Sequence, residues 1–297
     1  MTEPQMGGSY DEILRAAKLA EAEGLQSFAR SDHLAWDRER SPDATDAFAT
    51  IAGLARDTSD LRLCILVTPI TFRHPAIIAK SAATIDQMSG GRLDLGVGTG
   101  WNDFEHAALG IPFPESEERW SRLEDAVRYL AAAFGEGHGR HDGPFYSLDL
   151  DVRPKPSGIR LIIGGSGPSR TPRLAGTSAS EYNLFVCPPE EARARIATMR
   201  EAAAGRNVEA TMMGPVTIAG SDAELAERLL AAAGRRNITS DDLIARWEKA
   251  GVVFGTPGQV RDKIAAFEEA GIERIYLQWL DLSDFDGLAQ MLDLVRG

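Results

Sequence analysis

Basic residues are in short supply in this chain: 32 lysines and arginines face 44 aspartates and glutamates, for a net charge of −12. A nucleic-acid binder needs a basic stripe for phosphate contacts, so this balance argues against nucleic acid as the main partner. It leaves room for a small anionic ligand, which a few arginines and backbone N–H groups can hold on an acidic protein. Long apolar runs are also missing. No stretch approaches the ~20 residues of a membrane-spanning helix, so no membrane partner is expected. The opening MTEPQMGGSYDE has neither the basic start nor the apolar stretch of a signal peptide, and a cytoplasmic location is expected. Cysteine is rarer still. Cys64 and Cys187 each sit inside an apolar run and read as buried free thiols rather than a disulfide. No CxxC or HExxH pair occurs, so no metal site is expected.

What the chain does have is a repeating alternation. Its 297 residues suit two ordinary domains or one α/β barrel. YDEILRAAKLAEAEG is helical, with Ile13, Ala17 and Ala20 on one face and Gly24 as the stop. A strand around Leu25–Ala29 follows. The helix DAFATIAGLARDTSD leads to the strand LRLCILVT, and PAIIAKSAATIDQMSGG leads to RLDLGVGTG. IRLIIGG, EYNLFVC, ATMMGPVTI and GVVFG are further strand candidates, and PGQVRDKIAAFEEAG precedes IERIYLQW. Alternating helices and strands predict a parallel sheet with right-handed crossovers. The count predicts a single (β/α)8 TIM barrel over residues 1–297, with a doubly wound open sheet as the alternative. The first strand must then come from MTEPQM, so it is short or truncated. The interval 99–159 holds one clear helix, SEERWSRLEDAVRYLAAAFG, and a hairpin or loop, HDGPFYSLDLDVRPKP; it reads as a lid-like insertion after strand four.

In a barrel the residues just past each strand converge on one rim. After strand two come Asp32, His33 and Trp36. His33 has an ordinary pKa near ~6.5 and can move a proton at neutral pH; the alternative is a capped turn with a solvated histidine. Neighbours on an extended segment point apart, so Asp32 need not orient His33. Strand three exits through VTPITFRHP, where Thr68 and Thr71 offer polar edges and Pro69 and Pro75 suggest a bulge or kink. A solvated helix approach is the alternative for Arg73 and the preferred reading for His74. After strand four, Gly98, Thr99 and Gly100 form a backbone platform on which a flat ring can lie, with Trp101 as an aromatic wall. After strand five, Gly164, Gly165, Ser166 and Gly167 precede a helix starting near Pro168. Their N–H groups, the helix end and Arg170 suit a phosphate; a plain glycine turn is the alternative. Trp36 and Trp101, with Phe104 and Phe113, are candidate walls of an apolar substrate pocket, with ordinary packing as the alternative.

The ordered set SDHLAW, LVTPITFRHPAIIAKSAATIDQMSGGRLDLGVGTGW, ERWSRLEDAV, IIGGSGPSRTPRLAG and GTPGQVRDKIAAFEEAGIERIYLQ resembles the bacterial luciferase-like superfamily, and most closely its oxidoreductases that use the deazaflavin coenzyme F420. The resemblance implies a (β/α)8 barrel, commonly a homodimer, that moves a hydride between coenzyme F420 and a small-molecule substrate. It implies the phosphate at Gly164–Gly167 and Arg170, Asp32 near the tricyclic ring, His33 as acid or base, and Val67, Thr68 and the GVGTG backbone under the ring. It also implies a cis non-proline peptide at Leu66–Val67 or Val67–Thr68. One departure stands out. The sugar-phosphate dehydrogenases of this branch have a glutamate after GTG, and here Trp101 stands there. With one proton donor in place of two, reduction of an enone or carbonyl fits better than sugar oxidation. A monooxygenase using reduced FMN and a non-catalytic flavin binder are the alternatives.

Overall fold

The computed structural model describes residues 1–3, 7–35 and 43–296. The chain runs α1 (Tyr10–Ala22), β1 (Ser27–Arg30), α2 (Ala47–Asp57), β2 (Arg62–Pro69), α3 (Pro75–Ser89) and β3 (Leu93–Gly98). There follow α4 (Asp103–Leu109), α5 (Ser116–Phe134), a hairpin of β4 (Gly139–Asp142) and β5 (Ser147–Leu150), then β6 (Arg160–Gly164), α6 (Arg170–Ser178), β7 (Glu181–Phe185) and α7 (Pro189–Ala203). The last part is β8 (Glu209–Ile218), α8 (Asp222–Gly234), α9 (Ser240–Ala250), β9 (Val253–Gly255), α10 (Pro257–Glu269), β10 (Arg274–Gln278) and α11 (Phe285–Arg296). Local sequence sets the helix ends. Ser9 and Glu12 form a capping box on α1, and α3 opens with Pro75 and stops at left-handed Gly90.

Strands β1, β2, β3, β6, β7, β8 and β10 pair side by side in that order, all parallel. Thr2 closes the ring, bridging Arg30 on one side and Trp279 on the other. Thr2 N–H donates to the Ala29 carbonyl at 2.9 Å, and Trp279 N–H donates to the Met1 carbonyl at 2.9 Å. The fold is therefore the expected (β/α)8 barrel, and its first stave is one rung long. A polar sequence suffices there because closure uses backbone groups and the polar side chain of Glu3. GVVFG, counted as a strand candidate, forms β9 on the overhang of β8, pairing Val216–Ile218 outside the ring. The helices α8 and α9 before it have no counterpart in the sequence reading. Their apolar stripes are thin: α9 buries only Leu243 and Trp247.

Within 99–159 the hairpin is docked on α5. Asp125 accepts from the N–H groups of Phe145 and Tyr146 at 2.9 Å and meets His141 Nε2 at 2.8 Å. Two apolar layers hold the barrel. One lies between sheet and helices and includes Ile13, Ile51, Leu63, Ile78, Leu93 and Ile163. The other fills the lumen with Ala29, Cys64, Leu66, Ile162 and Tyr276. Each buried Leu or Ile contributes roughly 1.5–3 kcal/mol of transfer free energy. Both cysteines are free and buried, as expected. Among the described residues no helix is long and apolar enough to cross a membrane.

At the strand starts, charges alternate around the barrel. Arg62 pairs with Asp94 at 2.6 Å, Arg160 with Glu181 at 3.1 Å and with Glu209, and Arg274 with Glu181 at 3.1 Å and Glu209 at 2.5 Å. Asp94 and Glu181 are completely buried, so each depends on these partners.

Candidate active site at the barrel mouth

Every stave is parallel, so the segments after their C-terminal ends share one pole. His33 follows β1 and the glycine turn 164–167 follows β6, so both lie at that pole. The floor of the mouth is built around Val67. The Leu66–Val67 peptide is cis, one of the two positions anticipated, and the β2–β3 register shifts between Ile65 and Thr68. A Cβ at Gly96, Gly98 or Gly164 would lie 2.7, 2.9 and 2.7 Å from a Val67 methyl. These distances are too short for carbon, so glycine is required at all three for Val67 to stand among the staves. Beside it, the first stave's Glu3 accepts from Ser31 Oγ and from Gln278 Nε2, both at 2.5 Å.

Asp32 and His33 point to different partners. Asp32, 1% exposed, is gripped by Arg73 through both oxygens, and Arg73 also reaches Asp46. Burial works against the Arg73 charge, but Asp32 and Asp46 outweigh it and raise its pKa. Thr68 is wholly buried beneath this pair, 3.4 Å from Arg73. The solvated alternative for Arg73 does not hold: its partner lies 41 residues away in sequence, which no local pattern reveals. His74 is exposed at the approach to α3, as read, where it also caps the helix by accepting from Ala76 N–H at 3.1 Å and packs edge-on to Tyr146.

His33 Nδ1 lies 2.8 Å from Glu105 Oε1. The other oxygen of Glu105 accepts from Leu34 N–H at 3.0 Å and Ala35 N–H at 3.4 Å. His33 Nε2 meets no hydrogen-bond partner among the described residues. Burial would lower the His33 pKa, but the hydrogen bond and charge of Glu105, with Glu3 and Asp32 behind them, leave it raised. Glu105 was not anticipated. It comes from α4, not from a strand end, so a reading of strand exits passes over it. Trp101 stands 64% exposed, its ring edge-on to His33 with centroids 5.4 Å apart. Trp36 lies outside the described residues. Phe113 packs on His106 and Arg119, the ordinary-packing alternative.

Thr99 and left-handed Gly100 continue from β3 into the Trp101 loop. In the glycine turn, the N–H groups of Ser166 and Gly167 have no acceptor among the described residues, and α6 begins at Arg170. Free N–H groups before a helix start suit an anion. The Arg170 side chain packs against α5, 2.8 Å from Glu117 and stacked over Trp120.

A family model for luciferase-like monooxygenases matches residues 1–274. The chain belongs to that family. Within it, the chain is 32% identical over 179 residues to the F420-dependent glucose-6-phosphate dehydrogenase of Beutenbergia cavernae, covering 59% of this chain and 52% of that one. The chain thus spans about half the length of the curated relatives it matches. Two solved structures share the fold of this luciferase-like chain, each with a TM-score of 0.81. One is the monooxygenase RslO1 of Streptomyces bottropensis, at 22% identity and covering 96% of this chain and 91% of that one. The other is an F420-dependent secondary alcohol dehydrogenase solved with an F420–acetone adduct, at 20% identity and covering 97% and 95%. A separate cavity of about 390 Å³, lined by Thr217, Arg228, Trp247, Trp279 and Asp281 among others, shares no residue with the expected site.

Proposed function

We propose that this luciferase-like protein is an oxidoreductase that uses coenzyme F420 to reduce a carbonyl or enone, with His33 as the proton donor. The observation that carries the reading is the shared pole: a histidine with one free ring nitrogen and an amide-rich turn open onto the same mouth. The curated relatives named as F420-dependent dehydrogenases support the choice of cofactor. The residues present fit such a group. Ser166 and Gly167 offer free N–H donors for its phosphate, with Arg170 at the edge. Gly98, Thr99, Gly100, Val67 and Thr68 supply a narrow, largely apolar floor for its ring, with the Asp32–Arg73 pair alongside. When bound, coenzyme F420 supplies a hydride.

The chain's own residues do the rest. His33 Nε2–H gives a proton to the substrate oxygen, or to the α-carbon of an enone, and is recharged from solvent. Trp101 flanks an apolar substrate. The test is mixing the protein with reduced coenzyme F420 and a panel of enones and ketones while following absorbance. Oxidation of the coenzyme that His33→Ala abolishes is the expected result; no oxidation with any acceptor overturns the reading. The family description and the likeness to RslO1 favour a second reading, a monooxygenase that uses reduced FMN. Isothermal titration with both cofactors decides between them, since only the one used should bind tightly.

A further inference from the structure

We infer that Glu105 is the positioning residue for His33: it fixes the imidazole through Nδ1, leaves Nε2 facing the mouth, and so favours giving a proton there over taking one. The inference rests on the redox reading above for its chemistry, but its geometry stands alone. Glu105 is 1% exposed and no substrate can reach it to be protonated directly. Both of its oxygens are spent on one short segment, Oε1 on His33 and Oε2 on the N–H groups of Leu34 and Ala35. The ring and the backbone that carries it are therefore clamped by a single carboxylate.

The clamp is itself anchored. Next to Glu105 on α4, His106 is wholly buried. Its Nε2 lies 2.7 Å from Thr71 Oγ1 at the exit of β2, and its Nδ1 lies 2.6 Å from the Asn102 carbonyl. Its ring packs between Phe72 and Phe113, at centroid distances of 4.9 and 4.3 Å. One residue of α4 thus ties the helix to the third stave, and the next presents a charge to the residue after the second. Among the described residues, the charged groups bearing on His33 are Glu105 from α4, Glu3 from the first stave and Asp32 from its own segment. Asp32 is already neutralised by Arg73. Glu105 is the only one of the three whose carboxylate bonds the ring.

The position after GTG that holds a glutamate in the sugar-phosphate dehydrogenases is Trp101 here, and Glu105 acts through the histidine it bonds. In the direction proposed, the substrate carbon gains the hydride and its electron pair. The carbonyl π-bond breaks toward oxygen, and that oxygen takes the proton that leaves His33 Nε2. The substrate is reduced by two electrons and the coenzyme oxidised by two. A histidine whose ring proton is favoured by a carboxylate on Nδ1 is better loaded for this step than for the reverse one.

Two readouts test the inference. The first follows the His33 ring by NMR across pH in the wild-type chain and in Glu105→Gln, with His33→Asn used to assign the signal. In the wild type His33 should titrate above 6.5, and in Glu105→Gln its midpoint should fall by about one unit or more. The second is single-turnover oxidation of reduced coenzyme F420 by 2-cyclohexenone. Glu105→Gln should lose about tenfold or more at pH 8 but less than about threefold at pH 6, with the dissociation constant for the coenzyme unchanged. A wild-type His33 that titrates below 6.5, an unmoved midpoint, or an equal loss at both pH values overturns the inference. If neither protein binds coenzyme F420, the redox reading of the mouth falls, and the titration still decides the role of Glu105.

Discussion

At the N-terminal end of the barrel, Arg62, Arg160 and Arg274 face Asp94, Glu181 and Glu209, and the charges cancel around the ring. At the C-terminal end the same residue types are used differently. Asp32 is cancelled by Arg73, but His33 is bonded on one nitrogen and left open on the other. Ser166 and Gly167 keep unspent N–H groups, and Trp101 and Phe185 stand exposed by 64% and 44%. One pole is dominated by paired charges, and the other keeps donors with no acceptor among the described residues. Paired charges at strand starts hold the staves; under the proposed function, the groups left half-paired at strand ends do the chemistry.

The contrast can be broken from either pole. His33→Ala should cost the most, about 10²–10⁴-fold in the rate of coenzyme oxidation, with little change in melting temperature. Glu181→Ala should do the reverse. It strips a carboxylate shared by Arg160, Arg274, Thr211 and Tyr276. Urea denaturation should register a loss of about 3 kcal/mol, while the folded fraction keeps its kcat. Gly164→Ala should cost about 1–3 kcal/mol by forcing a methyl onto Val67. Adding Val67→Ala should recover part of that, and a double-mutant cycle measures the coupling.

Stability against pH gives a smaller signal. The folded His33 pKa is raised above its ordinary value of about 6.5. Its contribution is therefore complete below pH about 6.5 and disappears as pH rises through the folded value. Glu105→Gln should flatten that slope in urea titrations repeated across pH. Least of all, Arg170→Ala removes a partly exposed ion pair and should shift stability by no more than about 0.5 kcal/mol. The dissociation constant for coenzyme F420 should nevertheless rise if this arginine borders the phosphate site.

Much of this architecture was legible beforehand, for a physical reason. Strands such as Arg62–Pro69 and Leu93–Gly98 are buried on both faces and announce themselves as continuous apolar runs. The first stave could be located only by elimination, because a single backbone rung needs no side-chain pattern. The helices over 222–250 were hidden for the opposite reason: they bury few side chains and look like surface. At the mouth, residues standing directly behind a strand were found, and so was the expectation that Asp32 and His33 diverge. Their partners, Arg73 and Glu105, were not. Each is brought in by the tertiary fold from a distant segment, and the pairing leaves no periodicity to read.

The one-rung stave at Thr2 has a consequence for how this molecule should fail on heating. A seam held by so few bonds is the cheapest place for a local opening. Glu3, next to that seam, tethers Ser31 and Gln278. Loss of turnover should therefore precede the cooperative melt, as the mouth comes unlaced while the rest of the barrel stays intact.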